Sequence, residues 1–317
     1  MSIITIGHLN SDTDSVAGAV ALAELLKLQG KEALAYRNGQ LNKESEWALK
    51  HCDSTNLVSE FSSTNISENQ EFFLVDFNEE NQSPVALAKI NLVGLIDHHK
   101  LNSCWKTDKP IYFRIEPVGS TCTLIAKLYQ ERKIVIAKDV ARLLLCGLIS
   151  DTINLTSPST TADDREILTF LATQTNENIE WLAQNLFEAK SDLSSFTPEE
   201  VVRLDYKIFN FAQKKIGIGV IETLSPANIK KIEPELKQAM RKIKSEDGLD
   251  YLYLGIVDIV KQETEMLAED EEEKQIILKA FSDIEIASSG DNLLLKTIVS
   301  RKKQIVPQIE NFLKNYS

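Results

Sequence analysis

Residues 92–100 read Leu-Val-Gly-Leu-Ile-Asp-His-His-Lys, an apolar run that stops on an acid and two imidazoles. A short apolar run bounded by Gly and Asp reads as a strand of a covered sheet. Two further runs end in the same manner: residues 3–7 (IITIG), just before His8, and residues 72–76 (FFLVD), which close on Asp76. Residues 15–29 and 119–131 read as amphipathic helices, and this alternation predicts an α/β fold whose N-terminal domain is an open, mostly parallel sheet flanked by helices. The carboxyl ends of such strands share one edge, and ligands bind in the crevice there. Four clusters are therefore expected to converge: His8 with Asp12 and Asp14, Asp76, Asp97 with His98 and His99, and Asp151 after the apolar run LLLCGLIS.

Working outward, the 317 residues, 43% of them hydrophobic, allow two domains that each bury a core. A helix over about 178–190 gives way to SDLSSFTPEE, whose Ser, Thr, Asp and Pro read as a linker, with Thr197 and Pro198 opening the next helix. The expected organisation is an N-terminal domain over 1–190, a linker at 191–196 and a smaller C-terminal α/β domain over 197–317, with the active site in the cleft between them. In the second domain, 215–222, 250–258 and 293–300 read as strands, and about 226–245 and 273–283 as helices. The acidic run Glu269–Glu273 reads as a solvated helix start.

The net charge of −12 divides into about −8 for residues 1–190 (17 basic against 25 acidic) and −4 for the rest (18 against 22). Neither half offers a basic face for duplex nucleic acid, whose binding rests largely on phosphate neutralisation. No apolar run of about 18 residues is present to span a membrane, and MSIITIGHLNSDTD lacks the features of a signal peptide, so a soluble cytoplasmic protein is expected. Cys52, Cys104, Cys122 and Cys146 form no Cys-x-x-Cys pair and read as reduced, mostly buried small side chains.

So many carboxylates in one place repel one another unless cations neutralise them. Aspartate oxygen mixed with imidazole nitrogen suits Mn²⁺, Co²⁺, Fe²⁺ or Mg²⁺ better than a thiolate-preferring ion. Two ions about 3.5–4 Å apart, bridged by shared carboxylates such as Asp76 and Asp151, are the arrangement of phosphoryl-transfer centres. Any one of these aspartates alone reads more readily as a helix cap or turn residue; the set does not, because three of the four histidines fall within it. The fourth, His51, reads as a surface residue. Near the C-terminus, Arg301, Lys302 and Lys303 follow a predicted strand. Positive charge is disfavoured at a helix N-terminus, so these cations read as an anion site.

Taken together, GHLNSDTDS (7–15), VDFNE (75–79), IDHHK (96–100), EPVGST (116–121), SDTINLTSPSTT (150–161) and SRKKQIVP (300–307) resemble the family II inorganic pyrophosphatases, the manganese- or cobalt-dependent branch of the DHH phosphoesterases. The resemblance runs in order through nearly the whole chain. It implies hydrolysis of inorganic pyrophosphate to two phosphates by a metal-activated water. It further implies two Mn²⁺ or Co²⁺ ions per subunit, Mg²⁺ arriving with the substrate, and a homodimer paired through the edge of the N-terminal sheet. By that likeness His8, Asp12, Asp14, Asp76, His98 and Asp151 are the metal ligands, with Asp76 and Asp151 shared. His99, Lys207, Arg301 and Lys302 contact the substrate and act in catalysis, and Asp97 supports the site.

Three positions depart from the family pattern. Phe77 stands where a histidine is usual, Ser11 where proline is common, and Thr156 where lysine is frequent. Short polyphosphates or nucleotide phosphoesters are the alternative substrates. Against nucleotides stand the absence of a Gly-Gly-Gly-His motif and the scattered aromatics, 7% of the chain. A non-catalytic anion sensor that kept the fold is the alternative of another class.

Overall fold

The computed structural model describes residues 2–62, 67, 69–79, 82–83, 91–101 and 107–316, the side chains of Lys302 and Tyr316 excepted. Cys104 lies outside the described residues. The chain divides into two compact units, Met1–Ala189 and Lys190–Ser317.

The first unit opens with β1 (Ile3–Leu9), α1 (Thr13–Leu28), β2 (Ala33–Asn38), α2 (Lys43–His51) and β3 (Val58–Glu60). It continues with β4 (Glu71–Val75), β5 (Asn91–Asp97), β6 (Tyr112–Ile115), α3 (Thr121–Glu131), α4 (Lys138–Thr152), α5 (Ala162–Thr175) and α6 (Ile179–Lys190). The six strands stand in the order β3-β2-β1-β4-β5-β6, and every neighbouring pair is parallel. The chain winds outward from β1 on one side and from β4 on the other. The direction of winding thus switches between β1 and β4, which opens a crevice beyond their carboxyl ends.

Ile4, Ile6, Phe72, Leu74, Leu92 and Leu95 pack together with Phe77 in one apolar cluster against this sheet. Full burial of each such side chain contributes about 1.5–3 kcal/mol. Helix α1 differs from its reading as an amphipathic helix, because residues on all its sides are buried from Thr13 to Ala23. Its small residues let neighbours approach closely. A Cβ on Gly18 would lie 2.7 Å from Val75 Cγ1, and one on Gly147 in α4 would lie 2.5 Å from Cys122 Sγ and 3.1 Å from Asp14 Cα. Glycine at these points brings α4 against the start of α1. Cys52, Cys122 and Cys146 are buried and unbridged.

His51 is not the free surface residue its sequence context predicts. Its ring stacks on Trp47 with centroids 4.8 Å apart, and its Nε2 lies 3.6 Å from Glu177. The apolar run before Asp151 is also not a strand: it is the last part of α4, so Asp151 reaches the crevice from a helix end.

The second unit comprises α7 (Pro198–Arg203), β7 (Tyr206–Phe211), β8 (Lys214–Thr223), α8 (Pro226–Lys231), α9 (Glu233–Glu246), β9 (Tyr251–Asp258), β10 (Glu263–Leu267), α10 (Glu271–Ala280), β11 (Ile286–Ser289), β12 (Asn292–Lys296) and α11 (Val306–Tyr316). Its sheet runs β11-β12-β10-β9-β8-β7, with β8 and β9 parallel and the other pairs antiparallel. Alternate residues of β9 enter different cores: Tyr251, Tyr253 and Val257 one, Leu252, Leu254 and Ile256 the other. That is the two-residue period of a strand covered on both faces.

Thr197 caps α7 through a reciprocal box with Glu200, as Thr-Pro at that point predicts. Within the expected linker, Ser191 is buried and its Oγ accepts from Leu224 N at 3.2 Å. Three readings need correction. The strand expected over 293–300 ends at Lys296, where Thr297 takes a left-handed φ of 60°. The helix expected over 226–245 is broken between α8 and α9, because Pro234 suits a first turn and not a helix interior. Glu273 is fully buried, accepting from Lys244 Nζ at 2.6 Å and from the amides of Leu252 and Glu269 at 2.9 and 2.6 Å. The acidic run therefore starts a helix but is not wholly solvated. No helix among the described residues is long and apolar enough to cross a membrane.

Candidate metal centre

The crevice beyond β1 and β4 collects side chains from five segments. His8, next to last in strand β1, directs Nδ1 at the Leu9 carbonyl oxygen, 2.9 Å away. A carbonyl only accepts, so Nδ1 carries the hydrogen and Nε2 keeps its lone pair. That Nε2 lies 3.5 Å from Asp12 Oδ1 and 3.6 Å from Asp76 Oδ2. Asp12 also caps α1, accepting from Ser15 N at 3.0 Å. Ser11, a departure from the family pattern, is buried: its hydroxyl donates to His8 O at 2.7 Å and accepts from Asn38 N at 3.0 Å. It knits the ends of β1 and β2 together.

Asp14 is fully buried and accepts from Ser120 Oγ at 2.6 Å, Thr121 N at 2.7 Å and Cys122 N at 2.9 Å. It thus sits on the N-terminus of α3, where amide hydrogens and the helix dipole favour an anion. Asp76 follows β4 in a left-handed conformation, φ 68°. Its amide is held by the Ile96 carbonyl at 2.9 Å, and its Oδ1 accepts from Thr121 Oγ1 at 2.8 Å. Asp151 leaves the end of α4 just before Ile153, Asn154 and Leu155, all with positive φ.

His98 Nδ1 lies 3.0 Å from the Val118 carbonyl. Its Nε2 is buried and makes no hydrogen bond, although Asp151 Oδ2 and Asp76 Oδ1 are 3.2 and 3.5 Å away. A buried ring nitrogen facing two carboxylates without a hydrogen-bond partner fits a coordinated cation.

The donors form two principal sets within 4.8 Å of one another: His8, Asp12 and Asp76, and Asp14, Asp76, His98 and Asp151. Asp76 belongs to both, and Asp151 to one. The structure therefore brings all six expected ligands together, in a donor set of oxygens and imidazoles without thiolate.

Electrostatics mark the same place. Burial, reinforced by Asp14, Asp12, Asp151 and Asp97, drives the Asp76 carboxyl well above the ordinary carboxylate range. Asp151 is pushed up to about 6 by burial and by Asp14, against the pull of His98. Burial alone would lower the pKa of His98, but the carboxylates of Asp151 and Asp14 carry it to about 9. This is charge crowding that a cation relieves.

Asp97 lies behind the candidate ligands. It accepts from His98 N at 2.8 Å, from His99 N and Nδ1 at 3.1 and 2.8 Å, and from Asn78 Nδ2 at 2.6 Å. Burial works against its ionisation, yet the hydrogen bonds from His99 and Asn78 hold it below the usual carboxylate range. The exposed His99 ring is thereby oriented with Nε2 free of Asp97. Phe77 is buried in the apolar cluster and also lines a 240 Å³ cavity shared with His8, Asp76 and His99. Thr156 is exposed, and its hydroxyl donates to Ile153 O at 2.7 Å.

In the second unit, Lys207 is exposed on β7. Arg301 opens the turn of π-helix Arg301–Ile305, and its guanidinium pairs with Asp205 Oδ1 at 2.7 Å and also donates to Asp205 O. The Lys302 side chain lies outside the described residues. Sequence reasoning did not assign roles to Ser120 and Thr121, although both stand in the EPVGST motif, nor to Asp164. Asp164, fully buried, accepts from Gly119 N at 2.8 Å and Thr123 Oγ1 at 2.6 Å, bracing the loop whose Val118 carbonyl orients His98.

The family model described as the DHH family, N-terminal domain, matches residues 2–148, and the DHHA2 domain model matches residues 184–312. A Bacillus subtilis protein named manganese-dependent inorganic pyrophosphatase is 36% identical over 307 residues, spanning 96% of this chain and 96% of the relative. A Deinococcus radiodurans protein that carries the same name as a candidate assignment is 38% identical over 313 residues, 96% of this chain and 97% of its own. The chain belongs to the manganese-dependent inorganic pyrophosphatase family. A crystal structure from Methanococcus jannaschii, described as a candidate family II inorganic pyrophosphatase, matches with a TM-score of 0.59 and 33% identity, covering 98% of this chain and 99% of that one. As a member of this pyrophosphatase family the chain has an apolar ring, Phe77, beside the donor set, and that ring is held by the core of the sheet.

Proposed function

We propose that this chain hydrolyses inorganic pyrophosphate to two phosphates, with Mn²⁺ held by His8, Asp12, Asp14, Asp76, His98 and Asp151. The observation that carries the reading is the pair of donor sets joined by Asp76, with His98 Nε2 buried among carboxylates and left without a hydrogen bond. Full-length similarity to proteins named for this activity supports it. Two ions, Mn²⁺ or Co²⁺, fit two donor sets, with Mg²⁺ accompanying the substrate.

Bound there, divalent ions supply a water of lowered pKa and anchor phosphate oxygens. The carboxylates set the positions of the ions and take up their charge. Asp97 fixes the His99 ring, so that Nε2 is the atom left to donate toward the oxygen bridging the two phosphorus atoms. Arg301, Lys302 and Lys207 neutralise phosphate oxygens, and Asp205 pairs with the Arg301 guanidinium. In this reading the first unit contributes metal ligands and the second contributes cations.

The physiological form is proposed to be a cytoplasmic homodimer that pairs through a sheet edge. Edge strand β6, with Phe113 exposed, supports that part of the reading. Phosphate release from pyrophosphate, tripolyphosphate and a nucleotide panel, each with Mn²⁺, Co²⁺, Mg²⁺ and Zn²⁺, tests the assignment. Pyrophosphate with Mn²⁺ or Co²⁺ should be preferred; equal or better turnover of tripolyphosphate or a nucleotide would reassign the substrate.

A further inference from the structure

A further buried carboxylate stands behind the donor sets and belongs to neither of them. Glu44, near the start of α2, has none of its surface exposed. Its Oε2 accepts from Thr13 Oγ1 at 3.1 Å and from Ser150 Oγ at 2.9 Å. Thr13 separates Asp12 from Asp14, and Ser150 immediately precedes Asp151. One oxygen atom therefore receives hydroxyls from both helix ends that carry ligands: the first turn of α1 and the last turn of α4.

Helix α2 is itself anchored to this point. Asn42 caps it by accepting from Ser45 N at 2.7 Å, and Ser45 Oγ lies 3.1 Å from Thr13 Oγ1. Thr13, Ser45 and Ser150 are all buried, so the contacts are screened from water. A carboxylate taken out of water costs several kcal/mol unless it is paired, and placing another negative charge near five aspartates makes it costlier. Apolar packing between α1, α2 and α4 could be built without it. A Glu here gains its purpose from holding Thr13 and Ser150 at one acceptor, which fixes the spacing of Asp14 and Asp151 within their shared donor set.

We propose that Glu44 is a positioning residue of the divalent-ion site, acting through Thr13 and Ser150 and touching neither ion nor substrate. This rests on the metal-binding reading above. The action is acceptance of two hydrogen bonds, so Glu44→Gln, which keeps a carbonyl oxygen, should do most of the work of the native residue, and Glu44→Ala none.

The test is titration of full-length protein, stripped of metal by chelation, with Mn²⁺ followed by calorimetry at a temperature well below unfolding. Loss of a group that orients ligands typically lowers metal affinity about 10- to 100-fold, and that loss is expected for Glu44→Ala, with Glu44→Gln restored to within about 3-fold of the native protein. Ser150→Ala, which removes one hydroxyl and leaves the carboxylate, should lower affinity by a smaller factor and covers the case in which Glu44→Ala does not fold. A general packing role would lower the melting temperature of the metal-free protein without this graded change in affinity. If native protein binds Mn²⁺ and Ser150→Ala or Glu44→Ala binds it equally well, or if Glu44→Gln fails to rescue, the positioning role is wrong. If native protein binds no Mn²⁺, the metal-binding reading falls with it.

Discussion

His98 Nδ1 lies 3.0 Å from the carbonyl oxygen of Val118, and this contact determines which ring nitrogen faces the crevice. The carbonyl requires a hydrogen on Nδ1, leaving Nε2 to the space between Asp76 and Asp151. In the metal-free protein a proton is drawn to the same position, which is why the carboxylates raise this histidine. Proton and metal ion compete for one atom.

Asp76 and Asp151 should fail differently when neutralised. Asp76 stands in both donor sets and Asp151 in one. Asp76→Asn is expected to weaken the binding of both ions, and Asp151→Asn to leave one of two near its native affinity. Metal analysis of the purified variants checks this. Loss of both ions in Asp151→Asn would make its carboxylate a bridge as well.

The same crowding gives the metal-free protein a pH dependence with a definite sign. In the folded state burial and Asp14 push Asp151 up to about 6 from its ordinary 3.8, and the carboxylates of Asp151 and Asp14 carry His98 to about 9 from its ordinary 6.5. Both are raised, so the folded state holds more protons than the unfolded state between each pair of values. Their contribution to stability is complete below the unfolded values and is lost as pH rises through about 6 and then about 9. Thermal melts of chelated protein should show this decline from mildly acidic pH up to about 9, and Mn²⁺ should reverse it with release of protons. A melting temperature that is independent of both pH and Mn²⁺ would contradict the charge crowding.

Phe77→His would place the usual family residue in an apolar cluster with Ile6, Phe72 and Leu74. A buried imidazole without a partner costs about 1–3 kcal/mol in addition to lost packing. Stability in denaturant should fall by that order and Mn²⁺ affinity should change, because the residue lines the cavity with His8 and Asp76. Unaltered unfolding and metal titrations together would show that the ring is neither core nor neighbour to the ions.

Much of this was legible in the sequence because β1, β4 and β5 each end at or beside a candidate ligand, His8, Asp76 and His98. An apolar run followed by His or Asp is at once a strand signal and a ligand signal, so His8, Asp76 and the Asp97-His98-His99 cluster could be placed on one sheet edge. Asp151 was legible as a candidate ligand but not as a helix residue. LLLCGLIS has no polar face to reveal a helical period because α4 is buried against α1, α3 and α5. Residues 15–29 were legible as a helix, but not the burial of α1 on all its sides from Thr13 to Ala23. Asp14 read as a ligand while its role at the start of α3 did not, since that contact spans more than a hundred residues. Glu44 gave no signal, because nothing local to α2 distinguishes it from the half-buried Glu46.

The second unit offers a separate check on the cations. Asp205 Oδ1 holds the Arg301 guanidinium at 2.7 Å, so Asp205→Ala should loosen the fork without altering charge on the arginine. Turnover of pyrophosphate is expected to fall in Asp205→Ala and further in Arg301→Lys, which keeps the charge and loses the planar fork. Metal affinity should be unchanged in both. Steady-state kcat and KM in both variants equal to those of native protein would make the pair a surface ion bridge of little consequence.

The most direct measurement is the rate of phosphate release from pyrophosphate as metal-stripped native protein receives Mn²⁺ in counted equivalents. Release should be slight with the first equivalent per chain and rise steeply as the second donor set fills, reaching a plateau near two. A plateau at one equivalent, or no release from pyrophosphate while two ions are bound, would contradict a two-ion pyrophosphate-hydrolysing centre built on His8, Asp12, Asp14, Asp76, His98 and Asp151.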